Sequence, residues 1–187
     1  MPISYSELAA RIRVPCGLLL GMVYILFAQP TPKRLLWGSA VALGGVLLRA
    51  AGAGHLVKNR RLANSGPYAY TRHPLYLGSA LAGTGFCVAG GRWWFFLLLA
   101  VLLVAVYWPV IRREEHHLRQ LFPEEFGNYA QSVLFLFPRR AALPARQGEP
   151  NRFSWKLYWK NREYQAFLAY VAIVLVLLGK MLFMTGS

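Results

Sequence analysis

Aspartate is absent from this chain of 187 residues. Its absence excludes Asp-built metal clusters, Ser–His–Asp triads and aspartyl nucleophiles. The side-chain carboxylates are Glu7, Glu114, Glu115, Glu124, Glu125, Glu149 and Glu163. Cysteine is nearly as scarce: Cys16 and Cys87 sit in apolar runs without C-x-x-C spacing, which argues against a disulfide framework or a thiolate zinc site and leaves both as packing residues. Against seven acids stand 21 Lys and Arg, a formal charge of +14. Such an excess alone points to nucleic acid or to an anionic membrane surface. The 56% hydrophobic content is too high for an ordinary soluble domain and turns the reading toward the membrane.

Five stretches read as spans: residues 14–29, 35–53, 75–89, 93–111 and 164–183. The third is short, and the first carries Pro15 near its start. No small-residue cleavage site followed by a polar region ends the first stretch, so it is taken as a span and not as a signal peptide. With the N-terminus in the cytoplasm, only Lys33, Arg34, Arg92 and Lys180 of the 21 basic residues fall outside, which is the positive-inside pattern and puts the C-terminus outside. The basic excess then becomes a topology and lipid-headgroup signal, and nucleic acid is not an expected partner. The expectation is an all-α integral membrane protein, one membrane domain over residues 1–187. It is a bundle of about five transmembrane helices, surrounded by membrane lipids, in a plasma membrane such as the bacterial inner membrane. The oligomeric state is not encoded in these patterns.

The two outer connections, 30–34 and 90–92, leave room only for helical hairpins, so chemistry belongs to the inner segments 54–74 and 112–163. In the second, residues 114–122 read as a helix with Leu118, Leu121, Phe122 and later Phe126 along one stripe and a Glu115–Arg119 pair at i,i+4. Pro123 starts a new helix, with Glu124 and Glu125 suited to its N-terminus. Residues 141–151 look like a linker. Trp155, Tyr158 and Trp159, interleaved with Lys156, Lys160 and Arg162, predict an amphipathic helix lying in the headgroup layer.

The densest polar information is the run from Ser65 to Gly78, at the mouth of the third span. Gly66-Pro67 marks a turn, and Pro74 suits the first turn of a helix, which puts Arg72 and His73 at a helix N-terminus. That pattern serves two ends: an anion-binding ligand site with the rings of Tyr70 and Tyr76 at hand, or a capped interfacial helix with aromatic-belt tyrosines. A second cluster is Arg112-Arg113-Glu114-Glu115-His116-His117. Glu114 and Glu115 cannot face the same way on a helix, and the adjacent histidines diverge without a third ligand, so no metal site is expected. Arg49 lies near the inner end of an otherwise uncharged span, where it either snorkels to headgroups or presents a fixed cation to a cavity.

Gly66-Pro67-Tyr68, then Arg72-His73-Pro74-x-Tyr76-x-Gly78, then Arg112-x-Glu114-Glu115-x-x-Leu118 and Phe126-Gly127-x-Tyr129 closely resemble the isoprenylcysteine carboxyl methyltransferase family and its relatives, the phospholipid N-methyltransferases. The likeness spans about residues 49–138. It implies a multi-span helical enzyme that binds S-adenosylmethionine on its cytosolic side and admits a lipid-like or prenylated small-molecule acceptor from the bilayer. It further implies that Tyr70, His73, Pro74, Tyr76, Leu77, Gly78 and Glu114 line the cofactor site. Arg49, Arg112 and Arg113 are then expected to hold an acceptor carboxylate or lipid phosphate, with Glu115 catalytic. An ionised carboxylate acceptor needs no general base; an amine must first lose a proton, with Glu115 or His55 as candidates. The tail over residues 139–163 and the fifth span lie beyond the likeness.

Two other readings compete. Sterol-type reductases share the Arg-His-Pro-x-Tyr element and use NADPH. A non-catalytic membrane protein would use its basic inner face to bind anionic lipid.

Overall fold

The computed structural model describes residues 5–58, 60–136 and 152–186, and among them the regular structure is helical, with one isolated bridge between Thr71 and Leu134. The helices are α1 (Tyr5–Phe27), α2 (Pro32–Ala53), α3 (Pro74–Gly90), α4 (Trp94–Leu102), α5 (Trp108–Leu121), α6 (Pro123–Ser132), α7 (Trp155–Lys160) and α8 (Tyr164–Gly186). All five apolar segments read from the sequence fall on helices. Three stretches are long and apolar enough to cross a membrane: Pro32–Ala53, Trp94–Leu121 and Tyr164–Met184. In α1 the apolar part is the shorter Pro15–Phe27, and α3 has 17 residues. The all-α membrane fold is therefore the observed one. The linker predicted at 141–151 lies outside the described residues.

The closest packing is between α2 and α3, and small residues make it so. A Cβ added at Gly78 would stand 2.6 Å from the Gly45 carbonyl oxygen, and one at Gly38 or Gly85 would run into the facing backbone. In a membrane, where apolar side chains gain nothing by leaving lipid, such backbone approach is the main source of helix–helix attraction. It lays the end of α2 that carries Arg49 directly over the start of α3.

The turns α1–α2 and α3–α4 are joined by a hydrogen bond from the Gln29 N–H to the Gly90 carbonyl (2.8 Å), which places both hairpins at one end of the bundle. Gly91 ends α3 at φ 70, a left-handed position suited to glycine. Between α4 and α5 the helix widens into a π turn, Leu103–Tyr107, just ahead of Pro109, which has no N–H for the ladder. The helix is not broken there. It continues to Leu121 and so carries Glu114 and Glu115 at its far end.

From there α6 folds back, burying Phe126, Tyr129 and Val133 against Leu62, Leu118 and Phe122. The stripe predicted over Leu118, Phe122 and Phe126 is thus real, whereas Leu121 is exposed. Tyr129 donates its hydroxyl to the Tyr68 carbonyl (2.8 Å). Burial raises the Tyr129 phenol pKa well above its ordinary value, so the proton stays on and the bond persists at any ordinary pH. Finally α8 runs along α2, its Tyr170 hydroxyl on the Ser39 carbonyl (3.2 Å) and its Lys180 ammonium on the Ile25 and Leu26 carbonyls at the end of α1 (2.8 and 2.7 Å).

Candidate functional site

The motif forms a short loop pinned at both ends. Gly66, at φ 59, opens a 3-10 turn over Gly66–Ala69, and its Cα packs against the His55 ring. His55 itself holds the Ala51 carbonyl through Nδ1 (2.8 Å). Downstream, the Arg72 N–H donates to the Leu134 carbonyl (3.0 Å) and the Thr71 hydroxyl to that of Leu136 (2.9 Å). His73 then caps α3, and Pro74 occupies its first turn, as the sequence predicts.

The His73 imidazole is buried, edge-on to Phe135 at 4.9 Å and to Tyr76 at 5.9 Å. Its Nε2 lies 3.3 Å from Glu115 Oε1. The same oxygen accepts from Arg72 Nη1 at 2.6 Å, with the guanidinium 5.3 Å over the Phe135 ring. Glu115 is therefore the hub that holds Arg72 and His73. The i,i+4 partner expected for it, Arg119, lies instead over the Phe126 ring at 5.5 Å.

Glu114 sits roughly a hundred degrees around the helix from Glu115 and accepts from the Tyr76 hydroxyl at 2.8 Å. The two adjacent glutamates thus serve different neighbourhoods. Tyr76 in turn packs edge-to-face on Tyr107, in the π turn, at 5.9 Å.

Two cavities meet here. The larger, about 400 Å³, is polar and lies between the end of α2, the start of α3, α5 and the α7–α8 junction; Arg49, Tyr76, Tyr107, Glu114 and Glu163 are among its walls. The smaller, about 140 Å³, lies on the α6 side, lined by Arg61, Tyr68, Arg72, His73 and His117 among others. Leu56, Lys58 and Glu114 belong to both.

Arg49 crosses the larger cavity's wall. Its Nε is paired with Glu163, and its Nη1 donates to the Ser79 hydroxyl and to the Leu75 carbonyl (3.3 Å). So it does not simply snorkel; it is held by three groups, two on α3 and one at the α7–α8 junction.

Of the residues the sequence singled out, Arg49, Tyr76 and Glu114 come together at the larger cavity, and His73 joins Glu114 at the smaller. Glu115 stands behind them. Gly78 and Pro74 lie at the α2–α3 contact, Pro74 against Gly52 and Gly78 against Gly45 and Arg49. Tyr70 is exposed, and Leu77 is half-buried with its N–H on the His73 carbonyl. Arg112 lies 6.0 Å over the Trp108 ring, and Arg113 is exposed, 3.8 Å from Glu7 of α1. None of these four side chains, Tyr70, Leu77, Arg112 and Arg113, lines either of the two cavities. Sequence reasoning missed Glu163, Ser79 and Lys58. The signal for Glu163 was its isolation, as a carboxylate at the very start of a membrane span.

Residues 39–125 match the phospholipid methyltransferase family. The match agrees with the resemblance read from the motifs: Arg49, the motif from Gly66 to Gly78 and the Glu114–Glu115 pair all lie inside it. The family is one of methyltransferases acting on lipid-like substrates. Phe126, Tyr129 and the whole of α7 and α8, Glu163 included, lie beyond the matched residues. No curated protein and no solved structure matches the chain.

Proposed function

We propose that this protein transfers a methyl group from S-adenosylmethionine to the polar end of a lipid-like acceptor that enters from the bilayer. The observation that carries the reading is the position of Glu114. Held by Tyr76, it lies on both cavities, with Arg49 across the larger one.

The residues present fit such a methyl donor. Lys58, Arg61 and Arg72 around the smaller cavity would hold its carboxylate. The buried Arg72 Nε has no hydrogen-bond partner and is a donor still to be used. Glu114 would accept from its ribose hydroxyls or amino group, and Tyr76 and Tyr107 would offer ring faces to its sulfonium. When bound, the cofactor supplies an electrophilic methyl carbon.

What the chain supplies is position. In-line displacement needs nucleophile and methyl carbon held close and water kept away, rather than a strong acid. His73 and Tyr76 fix one side of that geometry and Arg49 the other. Glu115, bonded to Arg72 and His73, acts as a positioning residue. The charge split of the sequence puts this end of the bundle at the cytoplasmic face.

Calorimetry in detergent tests the reading directly. Binding of adenosylhomocysteine supports it; binding of NADPH, or of neither, overturns it. A labelled methyl donor incubated with lipid extracts then identifies the acceptor by mass.

A further inference from the structure

We propose that α7 is a docking surface for anionic phospholipids of the leaflet at this end of the bundle, lipids that are bound there and not methylated. Its sequence, Trp155-Lys156-Leu157-Tyr158-Trp159-Lys160, sets two tryptophans and two lysines each at i,i+4, so each pair forms a stripe and the two stripes adjoin. All four side chains are exposed, Trp155 at 68% and Trp159 at 59%. Together they present an apolar surface bordered by cations, the form that a membrane or partner contact takes.

The rotation of α7 is fixed by its other face. Ser154 caps the helix, its Oγ accepting from the Leu157 N–H (3.4 Å), while its own N–H donates to the Gly54 carbonyl (3.0 Å). Two turns on, the Asn161 side-chain amide donates to the Ala53 and Leu56 carbonyls (2.9 and 3.0 Å). Ser154 and Asn161 therefore hold one face of α7 against the end of α2. At about a hundred degrees per residue, the tryptophan stripe lies about 120° and the lysine stripe about 220° round from Ser154, so both point away from the protein. Ring contacts steady the aromatic stripe: Trp155 is edge-on to Tyr158 at 5.7 Å, and Trp159 lies 5.0 Å from Tyr164 at the start of α8.

Level and charge together name the partner. α7 is bonded to the end of one apolar span, Pro32–Ala53, and leads directly into another, Tyr164–Met184. At that level of a bilayer tryptophan rings and lysine stems reach the acyl chains while the ammonium groups stay among the headgroups. From Arg152 to Arg162 the chain carries four cations and no carboxylate. Among the described residues no ion pair takes up Arg152, Lys156 or Lys160, and the next carboxylate, Glu163, is paired with Arg49. That charge is left for headgroup phosphates, against which a zwitterionic lipid sets its own ammonium. Neither stripe lines either cavity, so the lipid stands beside the candidate site and not in it. The whole surface lies beyond residues 39–125 and belongs to the tail.

The full chain in dodecyl maltoside is titrated with dioleoyl phosphatidylglycerol and, separately, with dioleoyl phosphatidylcholine, and bound lipid is counted by native mass spectrometry. Wild type is expected to bind phosphatidylglycerol more tightly. Lys156→Gln combined with Lys160→Gln should lower that affinity about tenfold and leave phosphatidylcholine unchanged, which also shows the protein intact. Lys33→Gln combined with Arg92→Gln removes the same charge from exposed positions at the opposite end and should change neither lipid. An equal loss in that second variant would mean that net charge alone is read, and overturns the proposal. Equal affinity of wild type for the two lipids overturns it as well. Glycerol phosphate, a headgroup phosphate without acyl chains, should not displace phosphatidylglycerol; if it does, the surface is a soluble-anion site and the assignment to lipid fails. No methyl donor enters the experiment, so its outcome stands apart from the methyltransferase reading.

Discussion

Truncating Glu115 should unfold the motif loop before it affects any chemistry. Its carboxylate is buried and a single oxygen receives both Arg72 Nη1 at 2.6 Å and His73 Nε2 at 3.3 Å. Glu115→Ala leaves the Arg72 guanidinium in a low-dielectric site with its countercharge gone, and its Nε already lacks a partner. Breaking a buried pair by removing one member costs roughly 3–5 kcal/mol, mostly from the charge left behind. The Arg72 side chain is 15% exposed, so water reaches one edge of it and the expected loss sits at the low end, about 3 kcal/mol. The two hydrogen bonds do not add, since they share one oxygen. Glu115→Gln keeps an acceptor for Arg72 and should lose only about half as much.

Equilibrium unfolding of the solubilised protein by titrated SDS gives both numbers. A double-mutant cycle with Arg72→Ala separates the pair from simple cavity formation. Coupling of at least about 1.5 kcal/mol is expected, because Arg72→Ala removes the stranded charge and rescues part of the Glu115→Ala loss. Coupling near zero, or a Glu115→Ala protein as stable as wild type, refutes the assignment of Glu115 as the hub.

Tyr76→Phe and His73→Ala should each weaken adenosylhomocysteine binding by about 1–3 kcal/mol while Tyr76→Phe leaves unfolding unchanged; unaltered calorimetric affinity in both removes these residues from the cofactor site. Gly45→Val forces α2 and α3 apart and should cost about 3 kcal/mol or more, whereas Gly127→Ala, inside α6 with nothing within 4 Å of its Cβ, should stabilise by up to about 1 kcal/mol in the same SDS titration. Arg49→Lys keeps the charge and loses the fork that reaches Glu163 and Ser79 together, so turnover on a confirmed acceptor should fall steeply with cofactor affinity retained; wild-type turnover would return Arg49 to a headgroup anchor.

Helix identity was legible because apolar runs leave few alternatives, and two helix starts were legible from proline, at Pro74 and Pro123, whereas Pro32 starts α2 three residues ahead of the span read from residue 35. The divergence of Glu114 and Glu115 followed from helix geometry alone. Less visible was what each glutamate would meet. Arg72 and Arg119 were both within reach of Glu115 by charge, and the choice was made by α6 returning Phe126 beneath Arg119, a contact set by tertiary packing. Gly78 illustrates the same limit: a glycine one turn after Pro74 signals close approach, but only the α2–α3 contact shows that the approaching group is Gly45 and Arg49. The partner of Arg49 was out of reach entirely, since it comes from 114 residues away along the chain and no local periodicity records it.

The larger cavity is therefore assembled by three constraints that owe little to one another. Small residues bring α2 onto α3 and fix Arg49. A π turn ahead of Pro109 lets one helix run on past the apolar stretch and deliver Glu114. Hydrogen bonds from Ser154 and Asn161 anchor α7 to the end of α2 and deliver Glu163. The first two fall within residues 39–125 and the third does not. In the reading proposed here, the matched segment carries the residues assigned to the methyl donor, while one wall of the larger cavity is supplied by the tail. Two chains with the same Arg-His-Pro-x-Tyr motif but different tails should then differ in the acceptors they take far more than in their affinity for the methyl donor.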